Sequence, residues 1–362
     1  KDLMSVPGYK TTWGATPFKD QLINDKGTVV KKLEEAGAVL IAKLTLGALA
    51  WGDVWFGGKT KNPWDVEQGS SGSSAGPGSA TAAGLVGFSI GSETWGSIIS
   101  PATRNGVTGL RPSFGTVSRS GAMALSWTMD KLGPMTRSVE GSAIIFETIR
   151  GTDDIDRTVR DIPFIYPSKR GLRNLRIGYV ESAFFDSSTS KNDKASLNIL
   201  KSMGLNLIPI ELPEFPTQAL SFVLQAEAAA AFDELTRSNE DDQLVRQVKN
   251  AWPNVFREAR FIPAVEYINA NRARTLLNQK MSELMEKIDV YIIPSFYGDN
   301  LLRTNLTGHP CVVVPNGFND KGRPTSISFV GQLYGDGNTL AIARAFQEAT
   351  GWHKQYPPEF NK

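Results

Sequence analysis

Only one of the 362 residues is cysteine and only two are histidine. A single cysteine, Cys311, excludes an intramolecular disulfide and fits a reducing, cytoplasmic setting. It stands in the apolar run Cys311-Val312-Val313-Val314 and reads as a small buried hydrophobe rather than a reactive thiol. His309 precedes Pro310 in a turn-like segment and His353 lies near the chain end. Structural or surface roles are expected of both, so a hydrolase built on this chain needs a base other than histidine. So few ligands of this type also argue against zinc, and no metal or cofactor is expected. No stretch reaches the roughly 20 apolar residues of a membrane span. The formal net charge of +2 gives no electrostatic case for nucleic acid or an anionic membrane surface. The chain starts at Lys1 without a methionine, so its N-terminus is expected to be incomplete or processed, and a signal peptide would be invisible.

What is present is a soluble-type composition, 41% hydrophobic and 21% charged, in a length suited to one large domain or two ordinary ones. Apolar spacing predicts helices over 28–36, 75–85, 139–149, 190–203, 217–236, 264–287 and 339–350. Short apolar runs predict strands over 38–42, 86–90, 175–180, 206–210, 290–293 and 326–330. Helices alternating with continuously apolar strands imply an α/β fold whose mixed central sheet is covered on both faces. No repeat or linker interrupts it, so residues 1–362 are read as a single domain.

Two glycine/serine clusters stand out: Gly69-Ser70-Ser71-Gly72-Ser73-Ser74-Ala75-Gly76 and Gly91-Ser92-Glu93-Thr94-Trp95-Gly96-Ser97-Ile98. Incidental flexible loops would have this composition too. Each is bounded by apolar structure, however, and consecutive small residues let backbone N–H groups approach an oxyanion or a phosphate. The G-x-x-x-x-G-K-[ST] arrangement is missing, which argues against a P-loop.

Gly72-Ser73-Ser74, the small-residue helix after it, and Gly91 to Ser97 followed by Ile98 and Pro101 resemble the fingerprint of the amidase-signature family. The resemblance continues through Gly106-Val107-Thr108-Gly109-Leu110-Arg111-Pro112, Gly115-Thr116-Val117-Ser118 and Met129-Asp130-Lys131-Leu132-Gly133-Pro134-Met135. It returns in Asn305-Leu306-Thr307-Gly308-His309-Pro310, Val314-Pro315-Asn316-Gly317 and Gly322-Arg323-Pro324. It implies an amide hydrolase with a Ser–cis-Ser–Lys triad. Ser97 matches the nucleophile. Ser73 matches the bridging serine, because it lies 24 residues before Ser97, the family interval, whereas the alternative Ser70 lies 27 before. The backbone N–H groups of Thr94, Trp95, Gly96 and Ser97 match the oxyanion hole, and the Gly72–Ser73 bond is expected to be cis. Lys1, in Lys1-Asp2-Leu3 ahead of Gly8-Tyr9-Lys10-Thr11-Thr12, matches the catalytic lysine; Lys43 matches a position with a structural role. The family carries an N-terminal segment before this lysine, so its buried strand is expected to be cut at its end.

Three pocket features are weaker. Trp95 stands where many relatives have glycine and is expected to narrow the acyl pocket. Met123, Trp127 and Met129 line an apolar pocket or belong to the core, and Phe184 and Phe185 are read as core. The expected partner is a small-molecule amide, with a homodimer left open and no nucleic acid or membrane. One rival is an amidotransferase A-type subunit releasing ammonia from glutamine. Such relatives carry an Asp-Glu-Phe-like stretch where this chain reads Leu46-Gly47-Ala48-Leu49-Ala50, which favours a stand-alone amidase. The other rival is a catalytically impaired, truncated homologue.

Overall fold

A computed structural model describes every residue except Ser168, Asn361 and Lys362. Its centre is a mixed eight-stranded sheet. In chain order the strands are β1 (Phe88–Glu93), β2 (Thr108–Arg111), β3 (Lys131–Thr136), β4 (Ile177–Val180), β5 (Leu207–Ile210), β6 (Val290–Pro294), β7 (Cys311–Phe318) and β8 (Pro324–Gly331). They lie in the order β1-β3-β2-β7-β8-β6-β4-β5. The five pairings from β1 to β6 are antiparallel. The two involving β4 are parallel.

The middle strands are apolar at nearly every position because both faces of the sheet are covered. Successive side chains point to opposite faces, which sorts them into two cores. Val312, Val314, Ile292, Ile327 and Phe329 pack with Leu340, Phe346 and Phe146 from the helices Asp336–Thr350 and Val139–Ile149. Cys311, Val313, Tyr291, Ile293 and Val330 pack with Ile98, Leu277 and Met281 on the other side. Cys311 is thus a core side chain, and burial pushes its thiol up to about 11.

The helices over 28–36, 139–149, 190–203 and 264–287 form close to the predicted bounds, as Thr28–Glu35, Val139–Ile149, Lys191–Ser202 and Ala264–Met285. Three readings are corrected. Residues 38–42 are not a buried strand: Val39, Leu40 and Ile41 are exposed, and no backbone group from Val39 to Lys43 is hydrogen-bonded to another backbone group among the described residues. An apolar run becomes a strand only where a neighbouring backbone meets its N–H and C=O groups. The single helix expected over 217–236 is broken into Thr217–Leu220, Phe222–Ala231 and Asp233–Arg237. At the second break Phe232 leaves helical geometry, and its buried ring stacks on Phe256 at 5.5 Å. Phe184 is core, but Phe185 is exposed.

The chain start threads into this frame. Lys1 N donates to Ile90 O at 3.1 Å, Asp2 N to Leu44 O at 2.8 Å and Ser5 N to Gly121 O at 2.8 Å. Lys1 is therefore held at the edge of β1, facing the loops that follow β1 and precede the helix Ala75–Ala82.

Candidate active site

The loop Thr94–Ile98 joins the end of β1 to the short helix Ile99–Asn105. Its two ends are tied by one carboxylate. Glu93 is fully buried; Oε2 accepts from Ile98 N at 2.8 Å and Ile99 N at 2.9 Å. Its Oε1 accepts from Arg111 Nη1 at 3.0 Å and from Asn305 Nδ2 at 2.8 Å. Burial favours the protonated acid, yet the Arg111 charge and these hydrogen bonds outweigh it and hold Glu93 below its ordinary range. A second carboxylate grips the loop from the side. Thr94 Oγ1 donates to Asp130 Oδ1 at 2.5 Å, and Leu125 N and Ser126 N donate to Asp130 Oδ2 at 2.8 and 2.9 Å. Burial raises Asp130, and these hydrogen bonds only partly offset it.

Within the loop, the backbone N–H groups of Trp95, Gly96 and Ser97 donate to no backbone acceptor among the described residues. Gly96 has φ +88°, a left-handed conformation that favours glycine. Trp95 is partly exposed and lines a cavity of about 570 Å³ together with Thr94, Ser97, Ser71 and Gly72. Trp51 and Trp252, edge-to-face at 4.7 Å, form an aromatic wall of the same cavity.

The Gly72–Ser73 peptide bond is cis. A Cβ on Gly72 would lie 1.8 Å from Gly52 O, so no other residue fits. Ser73 is buried and accepts from Lys1 Nζ at 2.8 Å. The same ammonium donates to Ser92 Oγ at 2.7 Å. Ser70 points elsewhere, its hydroxyl donating to Ser71 O. Ser74 N donates to Ser97 O at 3.1 Å, which stitches the two serine loops together. The Ser97 hydroxyl itself makes no hydrogen bond among the described residues. The structure thus brings Lys1 onto Ser73 directly and Ser97 into one cavity with Gly72, while the two serine hydroxyls are not hydrogen-bonded to each other.

Lys1 is buried among hydroxyls and carbonyls. Desolvation lowers its ammonium to about 7, against the weaker pull of the Asp130 and Glu93 charges. Lys43 is different. Its Nζ pairs with Asp2 Oδ1 at 2.8 Å and donates to Thr11 Oγ1 at 2.6 Å, while Asp2 Oδ2 accepts from Thr12 N at 3.1 Å. It braces the segment that carries Lys1. Of the other sequence candidates, Met123 and Trp127 line the two neighbouring cavities, and Met129 is core. His309 is buried, its Nδ1 at 2.7 Å from Thr307 Oγ1, and desolvation lowers its imidazolium to about 3. Neither histidine lines the Ser97 cavity.

Sequence reasoning did not assign roles to Ser92, Glu93, Arg111, Asp130 or Asn305. The available signal was a charged or amide side chain inside motifs otherwise made of small and apolar residues. Glu93 and Arg111 form a fully buried pair. Glu93→Ala leaves the guanidinium uncompensated, and unfolding in urea should show a loss of about 3–5 kcal/mol. Among the described residues no group of three His, Cys, Asp or Glu side chains gathers as metal ligands. Among them, too, no helix is long and apolar enough to cross a membrane.

This chain is similar to known proteins over nearly its whole length. It is 30% identical to the A-type subunit of glutamyl-tRNA(Gln) amidotransferase from Rippkaea orientalis, over 99% of this chain and 84% of the relative. Peptide amidase from Stenotrophomonas maltophilia superposes with a TM-score of 0.83 at 25% identity, over 100% of this chain and 83% of the other. An amidase family protein from Bacillus anthracis superposes with a TM-score of 0.85 at 26% identity, over 99% and 77%. The amidase family model matches residues 1–300. The mixed sheet, the two serine loops and this match together place the chain in the amidase family, as an amide-hydrolysing enzyme.

Proposed function

We propose that the protein hydrolyses a carboxamide C–N bond through an acyl-enzyme on Ser97, with Ser73 and Lys1 as a proton relay. The observation that carries this reading is the 2.8 Å contact of a buried lysine with Ser73, beside the cavity that Ser97 lines. A lysine serves as a base only when neutral, and desolvation to about 7 makes a large neutral fraction available near physiological pH.

Neutral Lys1 takes the Ser73 proton while Ser73 takes the Ser97 proton, and Ser97 Oγ bonds to the carbonyl carbon. The N–H groups of Thr94, Trp95, Gly96 and Ser97 receive the oxyanion. Losing one such donor elsewhere costs about 2.7–4 kcal/mol of transition-state stabilisation. Glu93 and Asp130 act as positioning residues by fixing the loop that carries these donors. The proton on Lys1 returns through Ser73 to the leaving nitrogen as the C–N bond breaks. Water, deprotonated by the same relay, then releases the acid and restores Ser97.

A fluorophosphonate probe followed by peptide mass spectrometry tests the assignment. One adduct on the peptide containing Ser97 is expected; an adduct on a peptide lacking Ser97 would refute it.

A second reading, ammonia release from glutamine within an amidotransferase, is favoured by the 30% identity to an amidotransferase A-type subunit. Ammonia release from glutamine by the isolated chain, compared with that from simple amides, separates the two.

A further inference from the structure

We propose that Arg104 is a specificity-determining residue that selects amides bearing a carboxylate at the far end of the substrate. The inference rests on the reading of Ser97 as nucleophile. Arg104 lies in the helix Ile99–Asn105 that follows Ser97, and it lines the same cavity. It is half-buried, and its guanidinium makes no hydrogen bond or ion pair among the described residues. The other enclosed arginines do not share this condition. Arg111 is paired with Glu93, Arg303 with Asp299, and Arg274 donates to Thr128 and Leu306. A guanidinium stays charged at any physiological pH and carries five N–H donors in a planar fork. It lines a cavity walled partly by Trp51, Trp252, Leu224 and Val255, where its N–H fork is open to an anion.

Asp53 lines the cavity too and carries one negative charge, its Oδ2 accepting from Ser71 N at 3.0 Å. Arg246 adds a second guanidinium, 5.3 Å from the centre of the Trp51 ring. A carboxylate matches the guanidinium fork with two parallel hydrogen bonds, the geometry that gives Arg its selectivity for planar anions.

Spacing limits the chemistry further. Arg104 is seven positions after Ser97, so at a rise of about 1.5 Å per residue its Cα sits roughly 10 Å along the helix direction from the nucleophile. A carboxylate bound there is separated from the scissile carbonyl by several bonds. This suits linear ω-carboxamides of dicarboxylic acids more than an oxamate, in which the two groups are adjacent.

The test measures ammonia release from succinamate, glutaramate and adipamate, each against the neutral alkyl amide of the same chain length. The best of the three anionic amides is expected to exceed its neutral partner in kcat/KM by about 10- to 100-fold, mainly through KM, the range carried by a charge-assisted hydrogen bond. Arg104→Met should bring this ratio close to one, and Arg104→Lys should retain part of it. As an independent readout, glutarate or adipate should slow fluorophosphonate labelling of the wild type and not of Arg104→Met. Ratios near one for all three pairs in the wild type would overturn the proposal. So would an equal loss on both members of a pair in Arg104→Met, with dicarboxylates protecting neither protein. Absence of a Ser97 adduct together with no amide turnover instead removes the amidase reading itself. Neutral-amide turnover without anion preference removes only the role of Arg104.

Discussion

Ser97→Ala is expected to lower kcat/KM for an aryl amide by about 10⁴-fold or more, while the fold is unchanged. Removing the nucleophile of a serine hydrolase elsewhere costs up to about 10⁶ in kcat, and the remainder comes from binding and the oxyanion donors. Here the proposed donors belong to backbone held by Glu93 and Asp130, which the substitution does not touch. Ser97 is half-buried and its hydroxyl has no hydrogen-bond partner among the described residues, so thermal unfolding should move by a degree or so at most. Circular dichroism and substrate kinetics on the same preparation check both halves. Equal rates for wild type and variant would sink the assignment of Ser97.

The second large effect is the dependence on pH. In the proposed relay Lys1 must be neutral to accept the Ser73 proton, so activity should rise with pH and level off above its ionisation near 7. For a single group at about 7, the neutral fraction grows about tenfold between pH 6 and pH 8. An unburied lysine would put the same rise near 10.4. Lys1→Met should abolish the step and lower kcat by about 10³-fold or more, since Ser73 then has no acceptor for its proton. A kcat/KM profile flat from pH 6 to 10 in the wild type would count against a titrating lysine. Stability carries the same sign. Between about 7 and 10 the folded state holds Lys1 neutral while the unfolded chain holds it charged, so the unfolded state binds more protons and stability rises with pH. The urea midpoint of the wild type, compared with that of Lys1→Met, should therefore increase across this window.

Much of the site was readable in the chain because its pieces are local. The interval from Ser73 to Ser97 and the glycines beside them are features of two short loops. Gly72 illustrates why such motifs survive in plain view: the Gly52 carbonyl sits where a side chain would start. Helices with clear capping or periodicity were also legible. Ser190 caps the helix Lys191–Ser202 through Asp193 N, and Ser138 caps Val139–Ile149 through Gly141 N.

What failed to show were properties that depend on neighbours far along the chain. β3 was not read as a strand because Gly133 and Pro134 interrupt its pattern, yet it is hydrogen-bonded to β1 and β2 on its two sides. Gly133 is required there, since a Cβ would meet Leu110 O at 2.1 Å. The apolar run 38–42 failed in the opposite direction, having the right composition and, among the described residues, no backbone paired with Val39 to Lys43. Nothing in the sequence singles out Arg104, and only the cavity it shares with Ser97 draws attention to it.

By itself the sequence determined that its two histidines stand in segments suited to structural or surface roles, that two glycine/serine loops carry the amidase fingerprint, and that an α/β core surrounds them. The resemblance told Lys1 from Lys43, and the tertiary structure decided what each of them meets. Lys1 and Lys43 are both lysines near apolar runs, and composition treats them alike. Folding half-buries Lys43, and desolvation lowers it although the Asp2 carboxylate in contact opposes this; Lys1 is buried among hydroxyls without a carboxylate in contact and is lowered to about 7. The difference is one of desolvation and partner, and both arise only when Lys1 is brought against residues 72 and 91 positions away.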